Sequence, residues 1–236
     1  MSRAVEYGDA RVAKLLIKKE AKINAVLNNG QGLLHLAIDK SCSKMVKLLL
    51  KSGISKETVT KEKDTPLMFA VKQGKYDMVE RLVQAGANIE TQDRSKRTPV
   101  MWSILGGNFD ITKYLLDRKA KVDSRGESQL TPLHYAAGTG DEEIVLLLIQ
   151  KGADVQSKDG SGSTPLDTAA YYNQPGMCQI LLSHGAGDAE SLQRAFHFAE
   201  KQNHGEVMDI ISAAMSAGYE DDESSGEGVE SLDIVA

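Results

Sequence analysis

The chain is short of cysteine, of aromatic residues and of long apolar runs, and each shortage excludes something. Only two of its 236 residues are cysteines. Cys42 and Cys178 lie far apart and outside any CxxC or Cys/His cluster, so neither a disulfide framework nor a structural metal site is expected. Two isolated thiols in a chain of this size fit a reducing compartment, cytoplasmic or nuclear, with both sulfurs used as small apolar side chains. No apolar run approaches the roughly 18 residues of a membrane span. The opening MSRAVEYGDARVAKLLIKK lacks the uninterrupted apolar core and small-residue cleavage site of a signal peptide. GxGxxG between a strand and a helix, GxxxxGK before Ser or Thr, HExxH and GxSxG are all missing, so no enzyme activity and no cofactor is expected. Gly160-Ser161-Gly162-Ser163 is rich in Gly and Ser, but no lysine follows it to close a phosphate cradle.

Charge is plentiful but unevenly placed. Residues 1–63 carry 13 Lys/Arg against 6 Asp/Glu, and residues 219–236 carry 7 acids and no base. Such polarity selects charged partners or lets a tail fold back on its own chain.

What the sequence does have is a period. Thr65-Pro66-Leu67, Thr98-Pro99-Val100, Thr131-Pro132-Leu133 and Thr164-Pro165-Leu166 follow one another at intervals of 33 residues. One step back from Thr65 lies Gly32, opening GLLHLA, a degraded copy of the fifth unit's TPLHYA. Further back, LLIKKEAKIN is in register; at the far end Arg194 opens RAFHFA after a shortened interval. Seven units result, at about 1–26, 27–59, 60–92, 93–125, 126–158, 159–188 and 189–218, followed by an acidic tail over 219–236.

A 33-residue repeat carrying T-P-L-H-x-A resembles the ankyrin repeat, and the resemblance covers residues 1 to about 218. It implies an all-α solenoid of stacked helix-turn-helix units joined by β-turn loops, ending in a disordered acidic tail. Physical sense agrees with it. Thr131 can cap a first helix, Pro132 suits its first position, and Gly140 suits its left-handed end. Ile144, Val145, Leu147 and Leu148 give the second helix one apolar stripe. A single unit buries too little alone, so stacking must complete the core. Several residues depart from the pattern. Lys119 stands where Gly86 and Gly152 end their second helices, which predicts a looser junction. Gln174-Pro175-Gly176 falls where a helix should begin, and reads as a break. Arg194-Ala195 and Met215 mark a divergent final unit.

The reactive-looking side chains read as structural. His35, His134 and His197 share one motif position, where an imidazole can bond the neighbouring turn. Met68, Met101 and Asp167 fill that position elsewhere, which no catalytic or metal array would tolerate. Asp141, Glu142 and Glu143 suit the start of a helix.

The resemblance further implies a non-enzymatic module that binds another protein in a concave groove lined by β-turn tips and first helices. Four residues after each repeat Thr stand Phe69, Trp102 and Tyr135 in three consecutive units, an aromatic stripe in a chain that is 5% aromatic. It is either packing between first helices or a contact stripe of the kind that dominates interfaces. Lys61, Lys63, Arg94, Lys96 and Arg97 at the turn tips, with Lys72, would favour an acidic peptide or protein surface; Tyr171 and Tyr172 could extend the groove. In the tail, Leu232, Ile234 and Val235 after an acidic, Ser-rich stretch resemble a SUMO-interacting motif, with Ser224, Ser225 and Ser231 as phosphorylation candidates. Asn24 and Asp123 occupy the loop position that is hydroxylated in some ankyrin repeats. Two rival readings stand beside the adaptor, scaffold or inhibitor. Seven stand-alone repeats resemble gankyrin-type proteasome-assembly chaperones in architecture, and the basic N-terminal third could contact nucleic acid. The chain is expected to be monomeric alone.

Overall fold

In a computed structural model, which describes the backbone of residues 1–224 and the side chains of residues 1–217, fourteen α-helices follow one another. They alternate as short first helices and longer second helices: α1 (Ser2–Glu6) with α2 (Ala10–Lys18), α3 (Leu33–Asp39) with α4 (Ser43–Lys51), α5 (Pro66–Lys72) with α6 (Tyr76–Gln84), α7 (Pro99–Leu105) with α8 (Phe109–Asp117), α9 (Pro132–Thr139) with α10 (Glu142–Gln150), α11 (Pro165–Tyr171) with α12 (Pro175–Ser183), and α13 (Ala189–Gln202) with α14 (Gly205–Ser224). First helices pack on first helices and second on second, forming two layers with one continuous apolar core between them. Among the described residues there is no strand, only a β-bridge between Val26 and Gly32, and no helix is long and apolar enough to cross a membrane.

Each unit is built by local chemistry. The hydroxyls of Thr65, Thr98, Thr131 and Thr164 accept the third helical N–H of their helices, and a proline follows each threonine. Gly140 ends α9 at φ 78°. Lys119 holds the same left-handed conformation at φ 69°, as Glu20 does at φ 60°. Between units, His35 and His134 act as staples. Nδ1 of each accepts a backbone N–H, from Gly32 at 3.1 Å and Thr131 at 3.2 Å. That fixes the proton on Nε2, which donates to the next turn's carbonyl, Asp64 and Ser163, at 3.0 Å in both cases. Burial holds both imidazoles below the usual histidine range, and the arrangement is complete only for the neutral ring.

Two expectations need correction. Pro175 does not interrupt its unit: it is the first-turn proline of α12, where a missing N–H costs nothing. His197 is not a staple. Asp188 caps α13 by accepting the Ser191 N–H at 2.7 Å, so RAFHFA lies mid-helix and His197 faces solvent near Glu200. The last helix, α14, is described as far as Ser224. The tail candidates Leu232, Ile234 and Val235, with Ser225 and Ser231, lie outside the described residues.

Candidate partner-binding groove

The first helices and turn tips bring most of the expected site residues to one side. Phe69, Trp102 and Tyr135 fall in successive first helices, each half-buried against the core. The stripe therefore both packs and presents, and Trp102 is held hardest. Its Nε1–H donates to Asp93 Oδ2 at 2.9 Å. Lys72 Nζ stands 4.1 Å and the Arg97 guanidinium 4.8 Å from the centre of its ring. Asp93 is the hub, because its Oδ1 also accepts the N–H groups of Ser95 and Arg97 at 2.9 Å, fixing the turn tip. Lys72 in turn pairs with Asp64 Oδ1 at 2.6 Å and lies 3.9 Å from Asp93 Oδ2. Phe69 meets the His35 ring edge-on with centroids 5.5 Å apart. Burial raises the Tyr135 phenol above its usual range, against the lowering effect of nearby Arg97.

The basic cluster is thus partly spent inside the protein. Lys72 is occupied with Trp102, Asp64 and Asp93, the Arg97 guanidinium lies over Trp102, and Arg94 faces Glu62 at 3.8 Å. Lys61, Lys63 and Lys96 are exposed and make no ion pair among the described residues. Lys63 and Lys96 occupy equivalent left-handed tip positions, at φ 63° and 56°. The tips of the next two units, 126–130 and 159–163, contain no cation and carry Glu127 and Asp159. In the third tip Lys61 and Lys63 are balanced by Glu62 and Asp64, and in the fourth cations outnumber acids, so the groove edge runs from balanced to basic over the third and fourth units and is acidic over the fifth and sixth. The N-terminal lysines that suggested phosphate contacts, among them Lys14, Lys18, Lys44 and Lys47, are exposed on the second-helix layer.

Sequence reasoning missed a hollow on the groove side. About 410 Å³ opens between α9, α11 and α13, walled by Leu105, Tyr135, Tyr171, Tyr172 and Phe198. It exists because two register positions are small. Seven residues after the repeat Thr, Gly138 stands where Lys72, Leu105 and Tyr171 stand elsewhere. Four residues after it, Thr168 takes the place of the aromatic. Tyr171 is 46% and Tyr172 57% exposed, so these rings are available. They meet each other edge-on at 5.0 Å, and Tyr171 meets Phe198 at 6.1 Å. Asp167 forms part of the floor in the staple position. Its Oδ2 accepts from the Thr164 N–H at 2.7 Å, the Thr164 hydroxyl at 3.1 Å and Arg194 Nε at 2.9 Å. Its Oδ1 is buried without a partner among the described residues. Burial raises the carboxyl above its usual range in spite of these donors.

Asn24 and Asp123 are employed elsewhere. Asn24 Oδ1 accepts the Ser55 N–H at 2.9 Å and Asp123 Oδ1 the Asp154 N–H at 3.3 Å. Glu57 and Glu90 do the same in the intervening units, at 3.0 and 2.9 Å. This ladder ties each loop to the next.

Comparison with known proteins agrees with this geometry. A family model for ankyrin repeats matches in three copies, over residues 1–93, 67–159 and 120–195. The chain belongs to the ankyrin repeat family. Among solved structures it is similar to the ankyrin repeat domain of Bcl-3, described as a unique member of the IkappaB protein family. The TM-score is 0.78 at 22% identity, covering 89% of this chain and 96% of that one. At that identity the likeness carries the fold alone. No curated protein sequence matches the chain. The ankyrin repeat fold is that of a protein–protein interaction module.

Proposed function

We propose that this ankyrin repeat protein is a non-enzymatic adaptor or inhibitor that presents its groove to an acidic segment of a partner protein. The observation that carries the reading is the stripe Phe69–Trp102–Tyr135, held half-exposed by Asp64, Lys72, Asp93 and Arg97 beside Lys61, Lys63 and Lys96, which are exposed and make no ion pair among the described residues. A surface already fixed by hydrogen bonds and ion pairs loses little entropy on binding, so more of the contact energy survives as affinity. Lys61, Lys63 and Lys96 steer an acidic segment to the rigid aromatic row, which supplies the apolar anchors.

Charge reversal at the lysines tests this without touching the core. Tagged full-length chain is used to capture partners from lysate of its source cells, beside Lys61→Glu/Lys63→Glu/Lys96→Glu. A second triple variant, Lys14→Glu/Lys18→Glu/Lys44→Glu, reverses charge on the second-helix layer. The partner captured by the native chain is expected to be lost with the first variant and kept with the second. Equal capture by all three, or loss with the second variant only, refutes the groove as the site.

A further inference from the structure

The acidic half of the groove asks for a different chemistry from the basic half. Its hollow has aromatic walls on several sides and carboxylates at its floor and rim, and the cations around it are committed. Arg194 Nε is on Asp167 and its Nη1 faces Glu190 at 3.6 Å. Arg125 donates to the carbonyls of Gln129 and Lys158, and Lys158 Nζ lies 3.4 Å from Glu190. Asp159 stands half-exposed at the rim. Burial works to raise its carboxyl, but hydrogen bonds from Ser161 and Ser163 hold it below the usual range and therefore ionised. Below, Asp167 is 1% exposed with one oxygen unpartnered. A buried carboxylate oxygen without a donor is a cost the fold leaves uncorrected.

We infer that this hollow receives an arginine side chain of the partner protein, its guanidinium stacked among Tyr135, Tyr171 and Tyr172 with Asp159 and Asp167 as counter-charges. The inference rests on the groove reading and refines it, by naming the side chain that the second half of the groove selects. Ring faces attract cations, and the planar guanidinium stacks on them while its several N–H groups still reach carboxylates. The volume suits one long side chain, at the small end of ligand pockets. The partner segment would then be bipolar, acidic where it crosses the third and fourth tips and carrying arginine where it crosses the fifth and sixth.

The test needs no knowledge of the partner. N-acetyl-arginine amide is titrated into the full chain carrying carbon-13 tyrosine, and the ring resonances are followed. Saturating shifts are expected at Tyr135, Tyr171 and Tyr172, and none at Tyr76 and Tyr114 on the second-helix layer. The uncharged isostere N-acetyl-citrulline amide should bind about tenfold more weakly. Thr168→Phe, which fills the hollow with the residue the register carries at Phe69, should abolish the shifts while circular dichroism stays unchanged. Asp159→Asn, which removes the accessible rim charge and leaves the buried staple intact, should weaken the arginine probe more than the citrulline probe. Equal binding of the two probes, tighter binding of N-acetyl-lysine amide, shifts that survive Thr168→Phe, or no saturable shift at all would each overturn the inference. Any of these, alongside partner capture that still depends on Lys61, Lys63 and Lys96, leaves the groove reading standing, so the two fail separately.

Discussion

Asp93 offers the sharpest quantitative test of how the groove is held. Its two oxygens accept four contacts: the Ser95 and Arg97 N–H groups and the Trp102 indole at 2.9 Å, and Lys72 at 3.9 Å. Asp159 is its counterpart two units on and accepts the equivalent turn N–H groups, from Ser161 at 2.8 Å and Ser163 at 2.9 Å; it also accepts the exposed Ser161 hydroxyl at 2.8 Å, which water replaces at little cost, but it has no indole to hold. Hydrogen bonds to a charged acceptor contribute about 1.5–3 kcal/mol when well buried, and about 1 kcal/mol each at a partly solvated turn. Asp159→Ala should therefore cost about 2 kcal/mol and Asp93→Ala about 3 kcal/mol. The difference isolates the groove contacts from the turn.

Trp102 is the only tryptophan, so its fluorescence reports on this unit while circular dichroism reports on the whole stack. Both are followed through a urea titration, with the midpoint compared at constant slope. Asp93→Ala should also shift the native emission of Trp102, because the indole N–H turns from a carboxylate to water, whereas Asp159→Ala should leave it unchanged. If Asp93→Ala costs no more than Asp159→Ala and leaves the emission where it was, Asp93 is a turn residue only. The claim that it preorganises the stripe then fails.

Two further outcomes follow from the repeat geometry. Burial holds His35 and His134 below the ordinary histidine pKa, so the unfolded chain takes up their protons first; the stability they confer is full above about pH 6.5 and falls as pH drops below it. His35→Met/His134→Met, using the residue found at Met68 and Met101, should lose less of its urea midpoint than the native chain between about pH 7.5 and about pH 5.5; an equal loss would show that the staples are not the titrating groups. The raised carboxyl of Asp167 acts in the opposite sense, gaining stability as pH falls, but both proteins share it and it cancels. Lys119→Gly should stabilise by about 1 kcal/mol, since Lys119 holds φ 69° with an exposed side chain and glycine adopts that conformation without the steric cost; a lower urea midpoint would refute this.

The fold is legible in the sequence because each of its determinants is local and periodic. Threonine, proline and glycine recur at fixed offsets, and each acts within a few residues of itself. The stripe is legible for the same reason, since stacking turns a common offset into a row. What escaped reading depends on contacts across units or on what is small. That Lys72 pairs with Asp64 and Asp93 requires knowing that two turn tips flank one helix end. The hollow arises from Gly138 and Thr168 together, in adjacent helices at different offsets. Comparing the seventh residue after each Thr, and not only the fourth, exposes it. His197 misleads because a shortened interval preserves the letters while Asp188 starts the helix early.

Asp167 joins the fold to the site. In the second and fifth units the staple is a histidine, which accepts within its own unit and donates to the next. A carboxylate can only accept, so the link from the sixth unit to the seventh is rebuilt with Arg194 as donor. The replacement is incomplete: Asp167 Oδ1 and Arg194 Nη2 both remain buried without partners among the described residues. Each such group costs about 1–3 kcal/mol relative to a satisfied one. A histidine here would complete the neutral staple and remove the negative charge beneath Tyr171 and Tyr172. The stack therefore gives up stability at the position where the groove gains a charged floor.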